Sequence, residues 1–155
     1  MKPLIFCLLL TTLFAAERRP APDFTLTDSN GARLTLSSYK GKVVLLDFWA
    51  TWCGGCKVEI PWYIEFSDKY RKQGLAVIGV SMDDSGWKLV KPFLKEKGMH
   101  YPVVIANEAV GKLYDVQNMP VTLLIDRQGR IASSHVGVVN KDAFEKEIAT
   151  LLQAR

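Results

Sequence analysis

The sequence is poor in cysteine, histidine and long apolar runs, and each shortage removes a class of function. It has three cysteines and two histidines in 155 residues. A structural zinc site takes four ligands, usually two cysteine pairs or one pair with histidines. Here Cys53 and Cys56 form the one close pair, and His100 and His135 stand alone. No metal site is therefore expected. The longest apolar run, Leu4 to Ala16, spans thirteen residues and is broken by Thr11 and Thr12. That is short of the about 20 that cross a bilayer, so a multi-span membrane protein is excluded. The net charge of +4 comes from 20 basic and 16 acidic residues without a dense basic run, so no nucleic-acid partner is expected. What remains is 48% hydrophobic and 23% charged, the mixture of a folded soluble domain and not of a disordered or collagen-like chain. A chain of this length makes one domain and can bury its core without disulfide staples.

The start of the chain reads as a leader. Met1-Lys2 is positive, the apolar run follows, and Ala15-Ala16 supply small residues, the plan of a secretory signal. A cut after Ala16 would leave bulky Phe14 three residues before it, so an uncleaved membrane tether is the alternative, and a buried first helix is a third. Cys7 lies inside this run behind large Ile5-Phe6 and reads as a small hydrophobe. Residues 1–16 are thus expected as signal peptide or tether, 17–22 (Glu-Arg-Arg-Pro-Ala-Pro) as linker, and 23–155 as the domain. Export would place the protein where disulfides are actively managed.

The rest of the chain alternates strand and helix signals. Phe24 to Leu36 reads as a β-hairpin around Asn30-Gly31. Val43 to Phe48 and Leu75 to Ser81 are continuous apolar runs, as in strands buried on both faces. Between them a helix is expected from about Cys53 to Gln73, stopped by Gly74. A helix over Gly86–Lys97, a strand at Val103–Ile105 and a short helix at Glu108–Leu113 follow. A second hairpin, Val121–Ile125 with Arg130–Val136, leads to a closing helix at Lys141–Leu152, where Phe144, Ile148, Leu151 and Leu152 share one face. This order gives an α/β sandwich with a mixed sheet.

Cys53 and Cys56 point to redox chemistry. A disulfide closing so short a loop adds little as a structural staple. Cys53 falls at the end of a buried strand and the start of a helix, where free N–H groups and the helix dipole favour a thiolate. Cys56, three residues on, shares its helical face. Cys53 would attack a disulfide and Cys56 would resolve the mixed disulfide. Asp47 lies within the buried run of the first strand; desolvation there should raise its pKa. Trp52 is expected to cover the site beside Cys53, and Trp49 to belong to the core.

The stretch Asp47-Phe-Trp-Ala-Thr-Trp-Cys-Gly-Gly-Cys56 resembles the active-site segment of the thioredoxin superfamily. Ala21-Pro-Asp-Phe24, Gly41-Lys42 and Met119-Pro120 before Ile125-Asp-Arg-Gln-Gly-Arg130 narrow the resemblance to exported thiol–disulfide oxidoreductases of the TlpA and ResA type, over about residues 20 to 155. The resemblance implies a thioredoxin-like sandwich with an added N-terminal β-hairpin. It implies that Asp47 accepts the proton of Cys56, that Glu59 is an acidic group near the thiols, and that Pro120 is a cis-proline presenting the Met119 backbone to substrate. Structural readings stay open: Asp47 as a satisfied buried carboxylate, Glu59 as a surface helix residue. Gly54-Gly55 departs from the proline-containing dipeptides common in such proteins.

The expected activity is reduction of protein disulfides, with apocytochromes awaiting haem attachment as implied substrates and a membrane thiol donor as the source of electrons. No cofactor is expected, and the chain is expected to work as a monomer. An oxidant or isomerase is the nearest alternative, although such proteins usually carry a histidine between the cysteines. A peroxiredoxin would need a proline and threonine arrangement before its cysteine that is absent here. A Sco-like copper-binding protein would space its cysteines by three residues and add a histidine.

Overall fold

A computed structural model describes residues 18–154. The expectations for residues 1–16, with Cys7, lie outside them.

The apolar runs form the centre of the sheet. β3 (Val43–Trp49) is buried at every position, and β4 (Leu75–Ser81) at nearly every one. They pair in parallel, and β5 (Val103–Ile105) extends β4 in the same sense. β6 (Val121–Ile125) lies antiparallel on the other side of β3, and β7 (Ile131–Val136) closes that edge. The order is β5-β4-β3-β6-β7, a mixed five-stranded sheet. The expected N-terminal hairpin is a separate two-stranded sheet of β1 (Thr25–Thr27) and β2 (Arg33–Thr35). Its connection is longer than a two-residue turn: the Asp28 carboxylate accepts the N–H groups of Asn30 and Ala32, and Gly31 takes a φ of 83°.

Alternation along β3 divides the core in two. Val43, Leu45 and Trp49 face α1 (Gly54–Tyr70), α2 (Trp87–Lys97) and α4 (Lys141–Gln153). Val44, Leu46 and Phe48 face α3 (Glu108–Leu113) and the hairpin, through Val110, Phe24, Leu34 and Leu36. Full burial of such a side chain stabilises by about 1.5–3 kcal/mol. Two helices stop where glycine permits a left-handed residue: a 3₁₀ turn at Arg71–Gln73 carries α1 to Gly74 (φ 100°), and α2 ends at Gly98 (φ 67°). The residues before the hairpin are fastened to the β6–β7 turn. Ala21 N–H donates to the Gly129 carbonyl, Ile131 N–H donates to that of Arg19, and Arg18 pairs with Asp126.

Candidate active site

β3 delivers the chain to the site. After Trp49 it turns through Ala50–Trp52, and Cys53 N–H donates to the Ala50 carbonyl at 3.1 Å. Asp83, two residues beyond β4, holds this turn: its carboxylate accepts Thr51 N–H at 3.0 Å, the Thr51 hydroxyl at 2.5 Å and the Ser81 hydroxyl at 2.8 Å. Cys53 then caps α1, so the helix begins one residue later than the sequence suggests. A side-chain acceptor at this place satisfies one of the free N–H groups of the first turn, a task usually given to serine, threonine or aspartate. Here Cys53 Sγ does it, accepting Cys56 N–H at 3.2 Å. A thiolate in that position would be a stronger acceptor than a thiol. Cys53 and Cys56 are joined as a disulfide with a Cα–Cα distance of 5.3 Å.

Trp52 is 68% exposed, next to Cys53 at 5% and Cys56 at 1%. Val136 and Val138 are also exposed. The Met119–Pro120 peptide is cis, and Pro120 accepts Gly137 N–H through its carbonyl at 2.8 Å. Met119 packs half-buried against the core. A Cβ on Gly55 would stand 2.9 Å from Val138 Cγ2 and 3.1 Å from Pro120 Cδ. Glycine at this position is therefore a packing requirement as well as a local weakness of the helix. Gly55→Ala should lower stability by about 1–3 kcal/mol through overpacking. Adding Val138→Ala should recover much of that loss, because the pair is in contact. Denaturant unfolding of the two single variants and the double variant checks this; simple additivity would contradict it.

Two carboxylates are buried on the side of the sheet that carries α1 and its cysteines. Asp47 is buried on the face of β3 that meets α1, and neither of its oxygens has a hydrogen-bond partner. Burial, reinforced by the charge of Glu59, holds its pKa well above the ordinary aspartate range. Glu59 is also buried, under the loop that joins β7 to α4, and its Oε1 accepts Val139 N–H at 2.7 Å. Burial raises its pKa too, partly offset by that N–H. The surface-helix alternative for Glu59 is thus removed by the β7–α4 loop. The Tyr63 hydroxyl bonds that of Thr122 at 2.9 Å beside this pair.

Sequence reasoning missed Asp83 and the Val138–Val139 loop. Asp83 had a signal: an acidic residue at the carboxyl end of a parallel strand adjacent to the one that carries the cysteines. Val139 acts through its backbone, so no side chain announced it. Trp49 lies in the core, and Trp62 and Trp87 pack half-buried against it. His135 sits in β7 with Nε2 3.1 Å from Glu147. Among the described residues, no three His, Cys, Asp or Glu side chains cluster as metal ligands.

Comparison with known proteins agrees with this geometry. The Redoxin family model matches residues 16–152. The thiol-disulfide oxidoreductase ResA of Geobacillus kaustophilus is 36% identical over 132 residues, 84% of this chain and 75% of the relative. The crystal structure of a thiol:disulfide interchange protein of the thioredoxin family from Chlorobium tepidum superposes with a TM-score of 0.81 at 26% identity, covering 88% of this chain and 98% of that one. That of the exposed lipoprotein thioredoxin Etrx1 from Streptococcus pneumoniae gives 0.71 at 29% identity, over 84% and 100%. A thioredoxin-like sheet, a disulfide capping α1 and relatives named for this chemistry converge: the chain belongs to the Redoxin family and is a thiol–disulfide oxidoreductase.

Proposed function

We propose that the enzyme reduces protein disulfides outside the cytoplasm. The observation that carries the direction is the pair of buried acids, Asp47 and Glu59, behind a dipeptide, Gly54-Gly55, that brings no cation to the sulfurs. A desolvated acidic site without a cation gives the thiolates little stabilisation and so favours the disulfide form. A dithiol that gives up its electrons readily is a reductant.

In the forward reaction the Cys53 thiolate attacks one sulfur of a substrate disulfide. That S–S bond breaks, a mixed disulfide forms, and the departing substrate thiolate takes a proton from water. Asp47 then accepts the Cys56 proton, and Cys56 sulfur attacks Cys53 Sγ. The second substrate thiolate leaves, and the substrate has gained two electrons. A raised pKa suits Asp47 to this task, since a base is most useful when it titrates near the working pH. Glu59 is assigned to tune this transfer. Trp52, Met119 and Pro120 are assigned to hold an extended substrate segment beside Cys53.

The leader-like residues 1–16 support export, as signal peptide or tether, and the similarity to an exposed lipoprotein thioredoxin agrees with it. Apocytochromes awaiting haem attachment are the proposed substrates, and a membrane dithiol protein the proposed donor. Reduced enzyme mixed with a disulfide-linked unfolded apocytochrome should yield two substrate thiols for each enzyme disulfide formed. Disulfides appearing in a reduced substrate on mixing with oxidised enzyme, without the reverse reaction, would overturn the proposed direction.

A further inference from the structure

Asp47 has a row of neighbours across the sheet. On one side it pairs in register with Thr122 of β6, and beyond that lies His135 of β7. On the other side it pairs with Gly79 of β4. Paired residues of adjacent strands point to the same face, so both neighbours border the Asp47 carboxylate. The two sides differ in how their polar groups are used. Thr122 and Tyr63 satisfy each other. On the Gly79 side there is no side chain, and two aromatic residues fill the space instead. A Cβ on Gly79 would lie 2.9 Å from Trp49 Nε1, 3.1 Å from Val103 Cγ2 and 3.3 Å from Tyr101 Cε2.

The indole N–H of Trp49 and the hydroxyl of Tyr101 are both buried without a partner, as are both oxygens of Asp47. Buried donors and acceptors are rarely left unpaired. Two orphaned donors thus lie on the sheet face that carries the two orphaned oxygens of Asp47, and the remaining orphan, Glu59 Oε2 on α1, is a further acceptor. Trp49 is itself fixed, stacked on Phe93 at 5.2 Å.

We propose that Tyr101 and Trp49 are positioning residues for Asp47: their O–H and N–H serve its carboxylate through a bridging water molecule, and so set when it takes the Cys56 proton. The idea deepens the reading of Asp47 as proton acceptor and rests on it for its catalytic meaning. The other titratable groups that face Asp47 are Cys56, Glu59 and Tyr63 on α1, with His135 one strand further. Burial and the Asp47 charge both push the Tyr101 phenol well up, so Tyr101 keeps its proton and remains a donor.

Tyr101→Phe removes the donor and nothing else. The test is carbon-13 NMR titration of Asp-labelled protein in the oxidised form, where Cys56 does not titrate, with the pH profile of Cys56 resolution measured alongside. In Tyr101→Phe the Asp47 midpoint should rise by about one pH unit, because a donor to the charged form has been lost. Resolution below that midpoint should slow by up to about tenfold. An unmoved midpoint, with a higher Tm, would mean that the hydroxyl was simply unpaired and would overturn the proposal. If Asp47→Asn leaves resolution unchanged while Tyr101→Phe still shifts the Asp47 midpoint, the positioning stands and the proton-acceptor role falls.

Discussion

Cys56→Ser is expected to stop turnover after the first half-reaction. Cys53 still attacks, so one substrate chain per enzyme should remain attached through Cys53. Resolution is intramolecular, and a well-oriented internal group is worth an effective molarity of about 10⁵–10⁸ M. No external thiol at millimolar concentration replaces that, so steady-state reduction should fall on the order of 10³-fold or more. Mass spectrometry of the unreduced mixture measures the adduct, and a thiol-release assay the turnover. Cys53→Ser should lose both adduct and turnover. The assignment rests on Cys53 capping α1 next to exposed Trp52, while Cys56 is the more buried sulfur. An adduct that forms through Cys56 in Cys53→Ser, and not through Cys53 in Cys56→Ser, would reverse the two roles.

Asp47→Asn should make the protein more stable and less active at once. The Asp47 pKa is raised in the folded state, so folding favours the protonated form. Stability from this group is complete below the unfolded value of about 3.9 and is lost as pH rises through the folded pKa. Glu59, raised as well, adds a loss of the same sign. Asparagine carries no such loss. The oxidised variant should match the wild type near pH 4 and exceed it at pH 8 by on the order of 2–4 kcal/mol. Denaturant unfolding at both pH values measures this. Asparagine also cannot take a proton, so Cys56 resolution near neutral pH should slow by roughly 10²-fold or more, the usual size of general-base catalysis. A variant less stable than the wild type at pH 8 would mean that Asp47 is a satisfied carboxylate with a structural role.

Much of the fold was legible because its signals are local. The run Val43–Phe48 could only be a strand covered on both faces, and Gly74 and Gly98 each end a helix where left-handed backbone is needed. The cysteine pair was legible for the same reason: spacing of three on a helix start brings the sulfurs together. The hairpin was visible as two short runs, but its loop was not, because the Asp28 carboxylate and not the Asn30-Gly31 dipeptide organises it. What escaped were the contacts made by distant segments. Glu59 looks like an exposed helix residue until the β7–α4 loop brings Val139 over it. Gly55 looks like a loosened helix until Val138 and Pro120 are seen against it. Tyr101 stands 54 residues from Asp47 in the sequence, and only the pairing of β3 with β4 and of β4 with β5 brings the two segments together.

The central claim is that this pair of cysteines gives electrons to protein disulfides, and its reduction potential tests that most directly. Protein beginning at Glu17 is equilibrated with glutathione or dithiothreitol buffers, and the Cys53–Cys56 disulfide fraction is measured. A value near roughly −270 mV, that of thioredoxin, is the predicted result and marks a reductant kept charged by a donor. A value near roughly −120 mV, that of a strong oxidant, would contradict the account and reverse the flow of electrons.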